Sequence, residues 1–284
     1  MPKPLHSGFL SNSNINVNIV NAKRVSLLDM QQAYSFMLLQ EVLIHKEITM
    51  NNSIKLSGRL ENVASLIPKG AEFADIGSDH GYLPCYVCLH DESAQAVAGE
   101  VNEGPFLSAQ ETVKRYGLAK RIDVRLGNGL EILKDGEVNL VVLAGMGGAL
   151  ISTILDEGKD RLKSIKRIIA QPNVGERRVR QWFYTHGYTI TNEAMIKENG
   201  HIYEIIAGDK NPTTQEMTEK QLLFGPRLLK QKPELFYQKW ENEYAKRQRI
   251  IDQMKKAALP NDNKIEAFKK ELTWIEEVLR DDSH

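Results

Sequence analysis

The chain has 284 residues, 42% of them hydrophobic, with 37 basic and 37 acidic side chains and a formal net charge of +0. That length allows one large core and a smaller appended unit, while the balanced charge excludes a global basic field, so any nucleic-acid contact must come from local patches. Two cysteines exclude a disulfide scaffold. With so many Lys, Glu and Asp residues, they suit a cytoplasmic protein.

No run reaches the roughly 20 apolar residues that a spanning helix needs. Leu27 to Ile48 comes nearest, and Asp29, Gln31, Gln32, Gln40 and Glu41 interrupt it. The N-terminus lacks the apolar core and small-residue cleavage site of a signal peptide. No membrane contact, no metal and no obligate protein partner are expected, and the chain is expected to be a monomer.

Residues 1–49 comprise a polar Ser/Asn/Val stretch and an amphipathic run from Ser26 to Ile48 that suits one helix; neither carries visible chemistry. Met50 is the expected physiological start, with 1–49 an upstream extension, 50–211 the main domain and 212–284 a C-terminal helical domain. From Leu56 to Ile67 the pattern fits an amphipathic helix capped by Ser57 and ended by Pro68-Lys69-Gly70.

Short apolar runs then alternate with helical patterns. Glu72 to Ile76, Ala96 to Val101, Ile122 to Leu126, Leu140 to Ala144 and Arg167 to Ala170 read as strands. Leu83 to His90, Pro105 to Tyr116, Ala149 to Leu162 and Glu176 to His186 read as helices, with a short turn near Glu131. This order predicts a doubly wound, Rossmann-like α/β sheet. Tyr188 to Lys197 and His201 to Ala207, joined through Asn199-Gly200, predict an antiparallel hairpin added at the sheet edge. Beyond Asp209-Lys210-Asn211-Pro212, apolar residues at helical spacing from Leu222 to Ile251 and from Ile265 to Leu279, separated by Pro260-Asn261-Asp262, predict a helical hairpin or coiled coil.

The segment from Phe73 to Leu83 sets an acidic residue at a strand end, then Gly77 and Gly81, then a helix. Glycines there let backbone approach a ligand that side chains would exclude, although a plain strand-to-helix turn has the same look and the G-x-G-x-x-G spacing is absent. Glu100 ends the second strand, where a carboxylate can accept from a ribose diol or simply face water. Gly127-Asn128-Gly129 closes the third strand, where an amide side chain can meet an adenine edge or serve an ordinary turn. Ala144-Gly145-Met146-Gly147-Gly148 follows the fourth, a place for a substrate-facing loop or for close helix packing. Gln171-Pro172-Asn173 ends the fifth, offering amide groups to a base edge. In order, at successive strand ends, these signals describe a nucleoside-type cofactor, best fitted by S-adenosylmethionine.

LSGRL at 56–60, DIGSDHGYLP at 75–84, GEVNEGP at 99–105, RLGNGL at 125–130, AGMGG at 144–148, QPN at 171–173 and YEII at 203–206 together resemble the bacterial tRNA adenine-22 N1-methyltransferase family of class I methyltransferases, and LLFGPRLL at 222–229 resembles the start of its coiled-coil domain. Asn128 stands where many members of the wider superfamily carry Asp, and Ala170 where this family often has a larger apolar residue. The resemblance implies S-adenosylmethionine held by Asp75, Gly77, Ser78, His80, Gly81, Glu100, Val101, Gly127, Asn128, Gly129, Ala144, Gly145, Met146 and Gly147. It implies tRNA as substrate, with Asp79, His80, Met146 and Asn173 nearest the chemistry. Asp79 is expected to accept from the adenine N6 group, and His80 either to stack on the base or to stabilise its own loop. Lys55, Arg59, Gln171, Arg177, Arg178 and Arg180 are expected on the substrate side, although a solvated helix face also explains the three arginines of 177–180.

Two other classes compete. Pro84-Cys85-Tyr86-Val87-Cys88 with His45-Lys46-Glu47 mimics a zinc nucleobase deaminase, but His45 precedes the apparent domain and a buried structural cysteine pair is the preferred reading. A non-catalytic module that binds the cofactor, or a methyltransferase acting on another RNA site, is the remaining alternative.

Overall fold

The computed structural model describes residues 54–211, 216–256 and 261–280. The helix expected over Ser26 to Ile48, the start at Met50, the boundary at 212 and the turn at Pro260 lie outside the described residues. Helix α1 (Gly58–Ser65) begins where Ser57, in an extended conformation, accepts the Leu60 N–H on its hydroxyl, as the sequence predicts.

The strands are β1 (Glu72–Ile76), β2 (Gln95–Glu100), β3 (Ile122–Leu126), β4 (Leu140–Gly147), β5 (Arg167–Val174), β6 (Tyr188–Glu198) and β7 (His201–Lys210). They form one seven-stranded sheet in the order β3-β2-β1-β4-β5-β7-β6. β1 to β5 run parallel, whereas β7 is antiparallel to both β5 and β6. The hairpin therefore joins the sheet edge as expected, with its second strand inserted next to β5.

Helices α2 (Tyr82–His90), α3 (Glu103–Arg115), α4 (Gly148–Glu157) and α5 (Glu176–Thr185) connect the strands. Successive strand residues bury toward opposite faces. Phe73, Ala96, Ala98, Val142 and Ile205 pack with Val63, Leu83, Cys85 and Val113 on one side. Ala74, Ile76, Val141, Leu143 and Ile206 pack with Ile151, Leu155, Val179 and Phe183 on the other. Each large apolar side chain removed from water contributes about 1.5–3 kcal/mol, and the two faces together hold the strand ends in register.

After β7 come two short helices, α6 (Glu219–Phe224) and α7 (Leu228–Gln231), and two long ones, α8 (Glu234–Lys255) and α9 (Asp262–Arg280). Tyr244 pairs with Glu276 and Arg247 with Glu271, so α8 and α9 run in opposite directions as a helical hairpin. Phe224, Phe236, Trp240 and Ile275 form its separate core.

A buried ion cluster fastens this hairpin to the sheet. Arg180 of α5 donates to Glu193 of β6 at 2.7 Å and to Glu204 of β7, and Lys239 of α8 reaches Glu204 at 2.7 Å and Glu176. Burial pushes the Glu193 carboxyl above its usual range, with Arg180 opposing. At Glu176 burial acts upward too, yet Lys239 holds the carboxyl below the usual range.

No helix among the described residues is long and apolar enough to cross a membrane.

Candidate active site

The carboxyl ends of β1 to β4 converge on a pocket of about 510 Å³, a size suited to a nucleoside-type ligand. Asp75, one residue before the end of β1, is 4% exposed and accepts from the Ser78 hydroxyl at 2.6 Å. Burial drives its pKa up to about 7, Ser78 restrains it, and the nearby Glu100 carboxylate adds to the rise. Glu100, the last residue of β2, is 5% exposed and accepts the backbone N–H of Asp79. Its pKa is raised by burial and held back by that N–H.

Between these carboxylates the chain turns at Gly77, with φ at 72°. A Cβ there would lie 2.5 Å from the Met146 methyl group, so glycine serves both the backbone conformation and the close approach of Met146. The Gly77 and Ser78 N–H groups both donate to the Gly99 carbonyl, at 2.9 and 3.1 Å, which ties the turn to β2. Gly127 likewise donates to the Glu100 carbonyl at 2.7 Å. The Asn128 N–H donates to the Glu131 side chain, starting the short turn that follows β3.

The pairing of β4 with β5 slips at Ala144, Met146 and Gly147, an irregularity of the kind that re-aims a side chain. Gly145 adopts φ of 78° within it. Its N–H donates to Gln171 Oε1 at 3.0 Å, and its carbonyl accepts from Asn173 Nδ2 at 2.7 Å. Two side chains of β5 thus hold both polar atoms of the residue beside Met146.

The pocket brings together Arg59, Asp75, Gly77, Ser78, Asp79, His80, Val101, Gly127, Asn128, Gly129, Ala144, Gly145 and Met146. Gly81 immediately precedes α2, Gly147 immediately precedes α4, and Glu100 stands behind the wall on the Asp79 backbone. The Asp79 side chain is exposed, with Oδ1 3.7 Å from His80 Nε2, and His80 Nδ1 lies 2.6 Å from the Ser108 hydroxyl. Among the described residues, no group of three or more His, Cys, Asp or Glu side chains could hold a metal ion.

The sequence profile of the tRNA (adenine(22)-N(1))-methyltransferase family matches residues 73–277, well over half of the chain. This chain belongs to that family. It is 43% identical over 234 residues to the tRNA (adenine(22)-N(1))-methyltransferase of Bacillus subtilis (strain 168), a match that covers 81% of this chain and 98% of that one. The crystal structure of the B. subtilis M1A22 tRNA methyltransferase TrmK superposes with a TM-score of 0.74 at 40% identity, over 80% of this chain and 99% of that one. The structure of M. capricolum TrmK in complex with the cofactor product S-adenosyl-homocysteine gives 0.69 at 32% identity, over 79% and 97%.

Within this family frame, several expected residues stand elsewhere. Arg180 was expected to hold phosphate, but it is 0% exposed and its guanidinium is consumed by Glu193 and Glu204. Arg177 is partly exposed but tied to Glu219 and to Glu271 at 2.8 Å. Arg178 and Lys55 are exposed and do not line the pocket. Gln171 cannot read a base edge, because it is fully buried and both ends of its amide are taken up within the protein. Cys85 and Cys88 are buried in α2, and burial raises their thiols to about 12 and about 11. That suits inert packing groups rather than metal ligands.

Tyr82 and Leu150 line the pocket and were not singled out by sequence. Tyr82 is 45% exposed and stacks on His80 with ring centroids 5.3 Å apart, while Leu150 is 52% exposed. Tyr82 directly follows Asp79-His80-Gly81 and was legible as a base-stacking candidate from its position. Leu150 reads in sequence as one more apolar position of a packing helix.

Proposed function

We infer that this protein transfers a methyl group from S-adenosylmethionine to N1 of adenine 22 in tRNA. One observation carries the reading: in a chain of this family, the pocket at the carboxyl ends of β1 to β4 joins a backbone-lined glycine turn to the carboxylates of Asp75 and Asp79, with Glu100 just behind. Gly77 and Gly127 make room for the close approach of Met146 and Ile132, and the Asp75 carboxyl in the pocket, with the Glu100 carboxylate just behind it, supplies acceptors suited to a cationic cofactor bearing a ribose and an amino group. The residues present therefore fit the cofactor. When bound, S-adenosylmethionine supplies an electrophilic methyl group.

Neutral adenine carries a lone pair and no proton at N1, so its attack requires no general base. The work left to the protein is placement and exclusion of water, which can supply about 7–11 kcal/mol. Met146, fixed over Gly77 by the held Gly145, closes one wall against water. Tyr82 and His80 present a stacked aromatic edge on which a base drawn from the tRNA core can rest. Asp79 accepts from N6 and stabilises the positive charge that methylation leaves on the ring. The exposed Lys55 and Arg178 offer phosphate contacts outside the pocket. The protein acts as a cytoplasmic monomer.

Incubation with unmodified tRNA and labelled S-adenosylmethionine, followed by nucleoside mass spectrometry and primer extension, tests this. A 1-methyladenosine stop at position 22 is expected. Tight cofactor binding with no methylated tRNA would overturn the reading in favour of a cofactor-sensing module.

A further inference from the structure

Arg59 lies in α1, ahead of the first strand, and it lines the pocket. Its side chain is clasped by the β6–β7 hairpin. The guanidinium sits 5.6 Å from the Tyr203 ring centroid and 3.8 Å from the Glu198 carboxylate, which also accepts the Arg59 backbone N–H at 3.1 Å. From that clasp Nη1 donates to Gln171 Oε1, the same oxygen that accepts the Gly145 N–H.

An amide side chain has two ends that differ only in whether they donate or accept, and in a buried site its partners decide which way it points. At Gln171, Nε2 donates to the Pro172 carbonyl at 3.0 Å and approaches Asn173 Oδ1 at 3.4 Å. An amide turned end over end would set its oxygen against the Pro172 carbonyl and its NH2 against the Gly145 N–H. Guanidinium can only donate, so Arg59 adds a charged penalty to that wrong orientation.

We propose that Arg59 is a positioning residue for methyl transfer: it locks the Gln171 amide so that Gln171 and Asn173 hold Gly145 in its left-handed conformation and thereby set Met146 over Gly77. This assigns Arg59 a part other than the phosphate contact expected from sequence. The proposal rests on methyl transfer at this pocket, and the wild-type assay tests that separately.

The test is steady-state kinetics of Arg59→Lys and Gln171→Met beside the wild type, with hydrogen exchange read at Gly145 and Met146. Lysine keeps the positive charge but lacks the planar fork that reaches Gln171 while stacked on Tyr203. Misplacing a reacting group by about 1 Å can cost roughly 100-fold. For both variants kcat is expected to fall roughly 10- to 100-fold, with KM for tRNA and its salt dependence unchanged and amide exchange at 145–146 faster. Combining the two substitutions should cost little more than either alone.

A raised KM for tRNA with unchanged kcat and a weaker salt dependence would mark Arg59 as a phosphate contact and overturn the proposal. Unchanged exchange at Gly145 would do the same, as would additive losses in the double variant. Should Arg59→Lys fail to fold, Gln171→Met decides alone, full turnover counting against the proposal. A wild-type enzyme that methylates no tRNA would defeat the functional reading, whereas an active wild type with equally active variants would defeat only the role of Arg59.

Discussion

Asp79 gives its backbone N–H to the Glu100 carboxylate while its own carboxylate faces the open side of the pocket. The two groups can therefore be separated by mutation. Asp79→Asn leaves the peptide N–H and its bond to Glu100 in place, so cofactor affinity should hold. Turnover should fall roughly 100-fold, the scale on which loss of one preorganised electrostatic partner is felt. Isothermal titration with S-adenosyl-homocysteine and single-turnover methylation would read the two separately. Full turnover in Asp79→Asn would remove that side chain from the mechanism.

Glu100→Gln should show the opposite pattern. It exchanges a charged acceptor for a neutral one against the Asp79 N–H, and charge-assisted hydrogen bonds are about twice as strong as neutral ones. Cofactor binding should weaken roughly tenfold, with kcat at saturating cofactor close to the wild-type value. Equal affinity for Glu100→Gln and wild type would exclude the carboxylate from cofactor recognition.

At Gly77 a methyl group meets two obstacles, the left-handed φ of 72° and the Met146 methyl 2.5 Å away. Gly77→Ala should lower stability by about 1–2 kcal/mol for the backbone alone. The end of Met146 can move aside, but only by leaving its place in the pocket wall. Cofactor affinity should therefore fall more than the melting temperature suggests, and a variant that loses stability while binding normally would contradict this.

The buried Asp75 carboxyl titrates near 7, well above its ordinary 3.8. Between these two values the folded protein binds more protons than the unfolded chain, so this group's contribution to stability is fully present at low pH and is lost as pH rises toward 7. Asp75→Asn, which carries no charge, removes that slope. In urea titrations the variant's stability relative to wild type should be most favourable at pH 8 and decline as pH is lowered toward 4. A pH-independent difference would place the Asp75 carboxyl in solvent.

Arg180 neutralises two carboxylates that have no access to water. Arg180→Ala leaves the buried Glu193 with backbone N–H donors but no cation, and leaves Glu204 with Lys239 alone. The expected loss is about 3–5 kcal/mol, measurable by chemical denaturation. A loss below about 1 kcal/mol, the range of an exposed pair, would mean that the cluster is hydrated in solution.

Much of this fold was readable because strands and helices announce themselves by period. β1 and β3 occupy the ranges their apolar runs predict, Glu72–Ile76 and Ile122–Leu126. β4 and β5 each extend beyond their apolar runs, to Gly147 and Val174. There the sequence turns to glycine, methionine, glutamine and asparagine, types whose pairing depends on a neighbouring strand rather than on their own propensity. The helix expected from Ala149 to Leu162 divides at Gly158. Arg180 shows the firmer limit. Three arginines on one short helix look alike, and only the arrival of Glu193 and Glu204 from a later hairpin turns one of them inward. Gln171 is a parallel case, since its amide oxygen is claimed by two donors 26 and 112 residues away.

The bond between the Arg59 N–H and Glu198 spans 139 residues. At synthesis rates of 5 to 20 residues per second, a nascent chain waits on the order of ten seconds between making Arg59 and making its anchor. During that interval β1 to β4 can assemble while the pocket still lacks the wall that Arg59 supplies. Chain order thus delivers the glycine turn and its carboxylates well before the hairpin that clasps Arg59. Chains truncated before Glu198 would carry the glycine turn and its carboxylates but not the clasp that completes the site.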